Sequence, residues 1–454
     1  MEGSRWSGRL GFLLATMGSA VGLGSIWKFP YEVGENGGGG FVLFYLAGLA
    51  LVVAPLLLAE LAIGRRGGGD AAASLARLAR EAGASPLWRR LGQLMVGAGL
   101  LILAYYAAIG GLAFAYAWHA LAAGFSGLDA AGTRALFAGV VGNPWQLGLW
   151  HALFVAATAA ILARGIERGI EAACRVLMPL LILLIAALAL YAALEGAFAE
   201  AADFLLAPRF AAIDASVALE ALGLGFFSIG VGLGVVLTYA AHAGQEIRLG
   251  DVALATLLGD TLVSFLAGFA IFPLVFAQGL DPAAGTELMF LTLPIAFAAL
   301  PGGDWVGAAF FAALAMAGLA SAIALAELAL APLIRVTGWA RPRAALALGL
   351  LLWAIGLPAV LGFSVWAEAR PLAFLPGFEA AGIVEALDRI ASNLLLPAAG
   401  MLLAIFAGHV LPRTALAAEL ALRGRALAAL AFLLRWVVPG LIAAFVLLGH
   451  AGGE

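Results

Sequence analysis

Across 454 residues the chain is 64% hydrophobic and only 11% charged, with a net charge of −3. A soluble domain carries about 25% charged residues, and no water-facing surface could cover this much apolar side chain. Disorder is excluded by the same figures. The 59 glycines show no triplet period, the single Cys174 cannot staple a scaffold, and no basic block suits nucleic acid, so an integral membrane protein remains.

Taken in chain order, residues 1–9 are short and polar and read as a cytoplasmic N-terminus. The apolar stretch behind them runs far past a signal-peptide core and reads as a retained anchor. A hydrocarbon core of about 30 Å takes roughly 20 apolar residues per helix. Eleven segments meet that need: 10–36, 39–63, 91–123, 146–163, 172–193, 215–242, 252–278, 305–334, 343–363, 383–410 and 427–449. Their long Leu/Ala runs are unlike the short alternating strands of a porin barrel. Residues 281–304, broken by Pro282, Pro294 and Pro301, read as an outer loop with short helices. Arginine crowds every second connection, while the alternate ones hold only Arg134, Arg209 and Arg370. The positive-inside rule then places the N-terminus in the cytoplasm and the C-terminus outside a multi-pass cell (inner) membrane protein.

Two spans stand apart. The first contains GSAVGLGSIWKFP from Gly18 to Pro30, then Glu35, Asn36 and Gly37 to Gly40. The sixth contains GLGFFSIGVGLG from Gly223 to Gly234, so Val-Gly-Leu-Gly occurs at 21–24 and again at 231–234. Each interior glycine costs a helix about 1 kcal/mol against alanine. Unwound backbone survives in lipid only where protein or a water-filled cavity satisfies it. Close packing through small residues is the competing explanation for one such segment. Two segments five spans apart favour paired discontinuous helices, the mark of an inverted-repeat transporter with a midplane site. The fold class expected is an all-α integral membrane protein with a 5+5 inverted repeat. Residues 10–193 form the first five-helix repeat, 215–410 the second, and 427–449 an eleventh helix.

These residues resemble the neurotransmitter:sodium symporters, and especially the bacterial amino-acid transporters of leucine-transporter type with eleven helices. The match rests on Gly18 to Pro30 with Glu35 to Gly39. Tyr105-Tyr106, the Gly169/Pro179 spacing, Phe226-Phe227-Ser228, Ala317 to Ser321 and Asp388 extend it. The resemblance implies sodium-driven import of amino acids by alternating access. It places a substrate carboxylate on the backbone of Leu23 and Gly24 and on Tyr106, which lies about sixteen residues into its span, too deep for an interface anchor. The amino group would meet carbonyls of Ala20, Phe227 and Ser228. Ile102, Phe227, Leu233, Ser321, Ala324 and Leu325 would line the side-chain pocket, with Gly230 leaving room for a hydrophobic or aromatic group. One sodium would use Ala20, Ser25, Ser228 and Asp260; a second would use Gly18, Val21, Ala317 and Ser321. Lys28 and Asp388 would form the outer gate.

Departures from the family pattern qualify this. Ser25 stands where an Asn is usual, and Ala320 where a side-chain oxygen is usual, so one or two sodium ions remain open. Asp260 supplies a negative charge and Leu224 replaces a Gln, so no chloride requirement is expected. Gly3 and Arg335 replace the usual inner-gate pair, so that gate must be built differently. Gly169 and Pro179 would let the inner end of the fifth span unwind. A sodium-independent or proton-linked carrier of the same fold is the alternative. An enzyme is not expected: the five His are scattered, with no His-Glu-x-x-His motif, and no phosphate loop or channel filter appears.

Overall fold

A computed structural model describes residues 6–210, 213–283 and 288–448, and every regular element among them is helical. Nine helices are long and apolar enough to cross a membrane. They are Gly39–Gly67, Pro86–Ala122, Pro144–Ala163, Ile166–Glu195, Leu249–Ala277, Gly303–Thr337, Arg341–Gly362, Ile383–Val410 and Gly424–Leu447. A tenth crossing is the pair Arg9–Ala20 and Gly24–Glu35, bent by 49° at the break. The sixth expected span is also two helices, Ala215–Ile229 and Val235–Ala240, joined by a turn over residues 230–234. Neither half is long enough to cross alone. The eleven expected segments are therefore all helical, and the two richest in alternating glycine are the two that break.

Helix starts follow local chemistry. Asp70 accepts the Ala73 N–H and caps Ala71–Glu81, Asn143 caps the fourth span ahead of Pro144, and Asp214 caps the sixth. The fifth span begins earlier than hydropathy suggests, because residues Ile166–Glu171 form a π-helical turn that runs into the α-helix. The unwinding expected at Gly169 is thus absent from this conformation, and the helix continues through Pro179.

Burial sorts the spans into a centre and a rim. The apolar windows of the third and eighth spans are 83% and 78% buried, against 33% for the fourth and fifth and 28% for the last. The rim spans turn Leu149, Leu153, Leu183, Leu190 and Leu194 outward, toward lipid. Small residues let the centre close. A Cβ on Gly111 would sit 2.7 Å from the His151 amide nitrogen, and one on Gly356 2.5 Å from the His151 ring. The run Gly37–Gly40 has a related role: Cβ atoms on Gly39 and Gly40 would meet the carbonyl oxygens of Ala207 and Arg209 at 2.4 and 2.3 Å.

Residues 284–287 of the expected outer loop, and Gly3 and Arg5 near the N-terminus, lie outside the described residues. Within the rest of the loop lies the short helix Leu288–Ala298. It is held down by the Tyr116 hydroxyl, which donates to the Phe290 carbonyl at 3.0 Å, and by its Phe290 and Phe297 rings, which meet those of Phe311 and Phe125.

Candidate functional site

The two breaks lie side by side in the middle of the bundle. A Cβ on Gly24 would approach the Ser228 Cα to 2.7 Å, so only glycine lets the backbones of the first and sixth spans come this close. Gly230 and Gly234 hold left-handed conformations, at φ 68° and 78°, which an L-residue with a Cβ rarely adopts. Between the breaks is a cavity of about 470 Å³, open mouth included. Its floor is backbone from the two breaks, and its walls are mostly aliphatic.

Most residues singled out in the sequence meet here. Leu23, Gly24, Ile102, Tyr106, Phe227, Ser228, Gly230, Leu233, Ser321 and Leu325 all line the cavity. Ala20 and Ala324 do not: both are buried behind its wall. Ser19, Gly22, Ile229, Val235 and Leu396 complete the lining and were not foreseen. At the polar end the Leu23 N–H donates to the Tyr106 hydroxyl at 3.2 Å. That bond occupies an acceptor site on the phenol, which also lies within hydrogen-bond reach of Ser321.

Beside the cavity, Asp260 is fully buried in the seventh span. The Ser25 hydroxyl donates to its Oδ1 at 2.5 Å, the Ser228 hydroxyl at 3.0 Å, and the Tyr45 hydroxyl donates to its Oδ2 at 3.0 Å. Ser25 and Ser228 are themselves 3.3 Å apart. Among the described residues no cationic side chain pairs with Asp260. An all-oxygen set around an uncompensated carboxylate fits a hard monovalent cation. On the far side of the first break, the Ser321 hydroxyl lies 3.4 Å from the Gly18 carbonyl oxygen and 3.5 Å from that of Ser19. Val21 and Ala317 are buried as well. The methyl of Ala320 faces Gly18, where it brings no oxygen.

Glu60 is the residue that sequence reasoning passed over. Fully buried in the second span, its Oε1 accepts N–H bonds from Gly232 at 2.6 Å and Gly234 at 3.2 Å. It therefore satisfies the amides freed by the sixth break. An intramembrane carboxylate is costly enough to mark a site by itself, so the signal that flagged Asp260 applied equally to Glu60. Tyr45 gave no such signal.

Above the cavity, Lys28 reaches Asp388 at only 4.0 Å and lies 4.3 Å from the Phe227 ring centroid. Asp388 is held more closely by the Tyr105 hydroxyl at 2.8 Å and the Ser392 hydroxyl at 2.7 Å. On the N-terminal side, Arg335 pairs with Asp70, the cap of the helix after the second span. Trp6 donates its indole N–H to the Tyr239 carbonyl at 2.9 Å. Glu171 accepts the Ser7 N–H at 2.8 Å and the Ser7 hydroxyl, and pairs with Arg175 at 2.7 Å.

Residues 3–126 and 140–360 match the sodium:neurotransmitter symporter family. A sodium-dependent transporter of Bacillus subtilis, YhdH, is 34% identical over 441 residues, covering 96% of this chain and 95% of its own. A sodium-dependent transporter of Haemophilus influenzae is 32% identical over 415 residues, 89% of each chain. The solved structure of MhsT in complex with L-phenylalanine superposes with a TM-score of 0.90 at 38% identity, over 98% of this chain and 100% of that one. The broken first helix and the all-helical membrane bundle agree with these matches, and the chain belongs to the sodium:neurotransmitter symporter family of sodium-dependent transporters.

Proposed function

We propose that this transporter imports neutral, hydrophobic or aromatic L-amino acids together with sodium, by alternating access about the two breaks. The observation that carries this reading is the cavity's two-part chemistry: backbone of the two breaks and one phenol at its floor, aliphatic side chains on its walls. A substrate carboxylate takes the Leu23 and Gly24 amides and the Tyr106 proton. Its ammonium group takes the carbonyls of Phe227 and Ser228, which line the cavity. Ile102, Leu233, Leu325 and Leu396 take the side chain, and no charged side chain lines the cavity to select a charged one. The binding of L-phenylalanine by MhsT supports the size class.

Sodium as co-substrate would sit with Ser25, Ser228 and Asp260 at one place and with Gly18, Val21, Ala317 and Ser321 at another. It neutralises Asp260, which is otherwise a lone charge inside the membrane. The Tyr45 and Ser228 hydroxyls already donate to Asp260, and a chloride there would be repelled by the carboxylate; transport needs no chloride. Lys28 and Asp388 close over the substrate as a separable contact, not a bidentate clamp. Residues 10–193 and 215–410 act as the two inverted repeats, with the N-terminus cytoplasmic.

A thermal-shift screen of the twenty amino acids, in sodium against choline, tests the reading, since a ligand stabilises the state it binds. Large apolar amino acids should raise the melting temperature only with sodium, and equally in chloride and gluconate. Proteoliposome uptake should follow an imposed sodium gradient. Stabilisation by charged amino acids alone overturns the substrate class. Uptake that follows a proton gradient and ignores sodium overturns the coupling.

A further inference from the structure

Under the proposed function, Ile102, Leu233, Leu325 and Leu396 face the substrate's apolar group. Three of them stand on firmly backed walls. Ile102 and Leu325 belong to the third and eighth spans, whose apolar windows are 83% and 78% buried. Leu233 lies in the sixth break between Gly232 and Gly234, whose amides Glu60 holds. Leu396 differs. Its side chain is 1% exposed, yet the tenth span that carries it has an apolar window only 50% buried.

The backbone around Leu396 is built to give. Residues Arg389–Leu395 form a π-helical turn, and the α-helix Leu396–Ile405 follows directly, with Pro397 in its first turn. Proline returns no N–H to the carbonyl four residues back, here that of Asn393, so one rung of the helix is missing at this step. Beside the step lies a second cavity of about 310 Å³, open mouth included, whose lining includes Val52, Leu222, Phe226, Ser392 and Pro397. Leu396 and Pro397 are neighbours in the chain, and each lines a different cavity. The tenth span is therefore a thin wall, with the substrate cavity on one side and space on the other. Below the step the span is pinned: a Cβ on Gly232 would lie 2.9 Å from the Gly400 Cα, so the sixth break and the tenth span touch there. The freedom is confined to the π turn and the residues that follow it.

We propose that Leu396 is a yielding wall of the substrate site, which retreats toward the second cavity as the substrate's side chain grows and so sets the range of sizes accepted. This rests on the proposed function and deepens it. A rigid hydrophobic pocket discriminates about 10- to 200-fold for a single methylene. A wall that gives lets one site hold valine with the wall at rest and tryptophan with the wall pushed back. Residues of the second cavity then determine specificity without touching the substrate.

Thermal-shift titration of the full chain in sodium, with valine and with tryptophan, reads the ratio of their dissociation constants. Val52→Leu adds a methylene to the second cavity from the second span. It should weaken tryptophan relative to valine at least fivefold, with little change in the melting temperature without ligand. Leu222→Phe fills the same cavity from the sixth span and carries the test where Val52→Leu does not fold. Leu396→Ala should shift the ratio the opposite way, toward tryptophan, at least fivefold. Leu394→Ala removes a side chain of the same π turn that is 54% exposed, and should leave the ratio unchanged. An unmoved ratio in the cavity-filling variant, or in Leu396→Ala, overturns the yielding wall. So does an equal shift in Leu394→Ala, which would mark a general loosening of the span, or a wild type that binds only one of the two amino acids. All of these leave the proposed function standing. A wild type that binds neither amino acid overturns the proposed function, and the wall with it.

Discussion

Glu171 joins the start of the fifth span to the start of the first, and Glu171→Gln gives the sharpest test of how the N-terminal side closes. The carboxylate is buried, with a side-chain exposure of 1%, and receives both the N–H and the hydroxyl of Ser7. It lies directly over Gly11, where a Cβ would fall 2.0 Å from Oε1. The first helix therefore cannot swing away from the fifth without breaking these bonds. Glutamine keeps the shape but removes the charge. A hydrogen bond to a charged group contributes about 1.5–3 kcal/mol, and a neutral one about 0.5–1.5 kcal/mol. Two such bonds weaken together by about 2 kcal/mol, and the half-exposed Arg175 adds less than about 1 kcal/mol. A shift of about 2 kcal/mol multiplies the open population about 30-fold. The chain carries its own reporter: Cys174, its single cysteine, is buried against Gly18 of the first helix. We predict that a small maleimide labels Cys174 about 30-fold faster in Glu171→Gln than in the wild type, in sodium-free buffer and with the melting temperature little changed. Gly11→Ala should shift labelling in the same direction, because its Cβ displaces the carboxylate. Unchanged labelling in both variants would refute the idea that this contact holds the side shut.

Three further outcomes are expected. Tyr106→Phe removes the phenol hydroxyl that lines the cavity beside the Leu23 amide, so amino-acid affinity should fall about 10-fold or more while stabilisation by sodium alone persists; scintillation-proximity binding separates the two. Asp260→Asn should abolish most sodium-dependent thermal stabilisation, and a full sodium response in that variant would place the ion elsewhere. Gly24→Ala puts a methyl 2.7 Å from the Ser228 Cα, forcing the two breaks apart at a cost of about 1–3 kcal/mol; equilibrium binding should weaken at least 10-fold, and wild-type affinity would show that the backbones need not touch.

The breaks were legible in the sequence because alternating glycine is a local signal, and so was Asp260, because a charge in an apolar run stands out by itself. The carboxylate partners were not. Glu60 meets Gly232 across 172 residues, Asp70 meets Arg335 across 265, and Ser7 meets Glu171 across 164. No spacing rule reaches that far, and each carboxylate read singly was one more charge near a span end or within it. The cavity wall was half legible for a related reason. Ala324 belongs to the right helix but faces behind the wall, while Leu396 comes from the tenth span, which carried no signal beyond Asp388.

Under the proposed function, Glu60 also bears on how the two breaks divide their work. A broken helix frees amides at the start of its second half and carbonyls at the end of its first. At the sixth break the freed amides of Gly232 and Gly234 are already taken by Glu60, so its carbonyls at Phe227, Ser228 and Ile229 are what remain to face a ligand. At the first break the Leu23 amide donates to the Tyr106 phenol. The Leu23 amide end then favours an anion, and the carbonyls left at the sixth break favour a cation. Under the proposed function a zwitterion would lie in one orientation, carboxylate toward Leu23 and ammonium toward Phe227, with its side chain directed to Leu233 and Leu396. An amine without a carboxylate would leave the Leu23 end unmatched and should bind weakly, whatever the size of its apolar group.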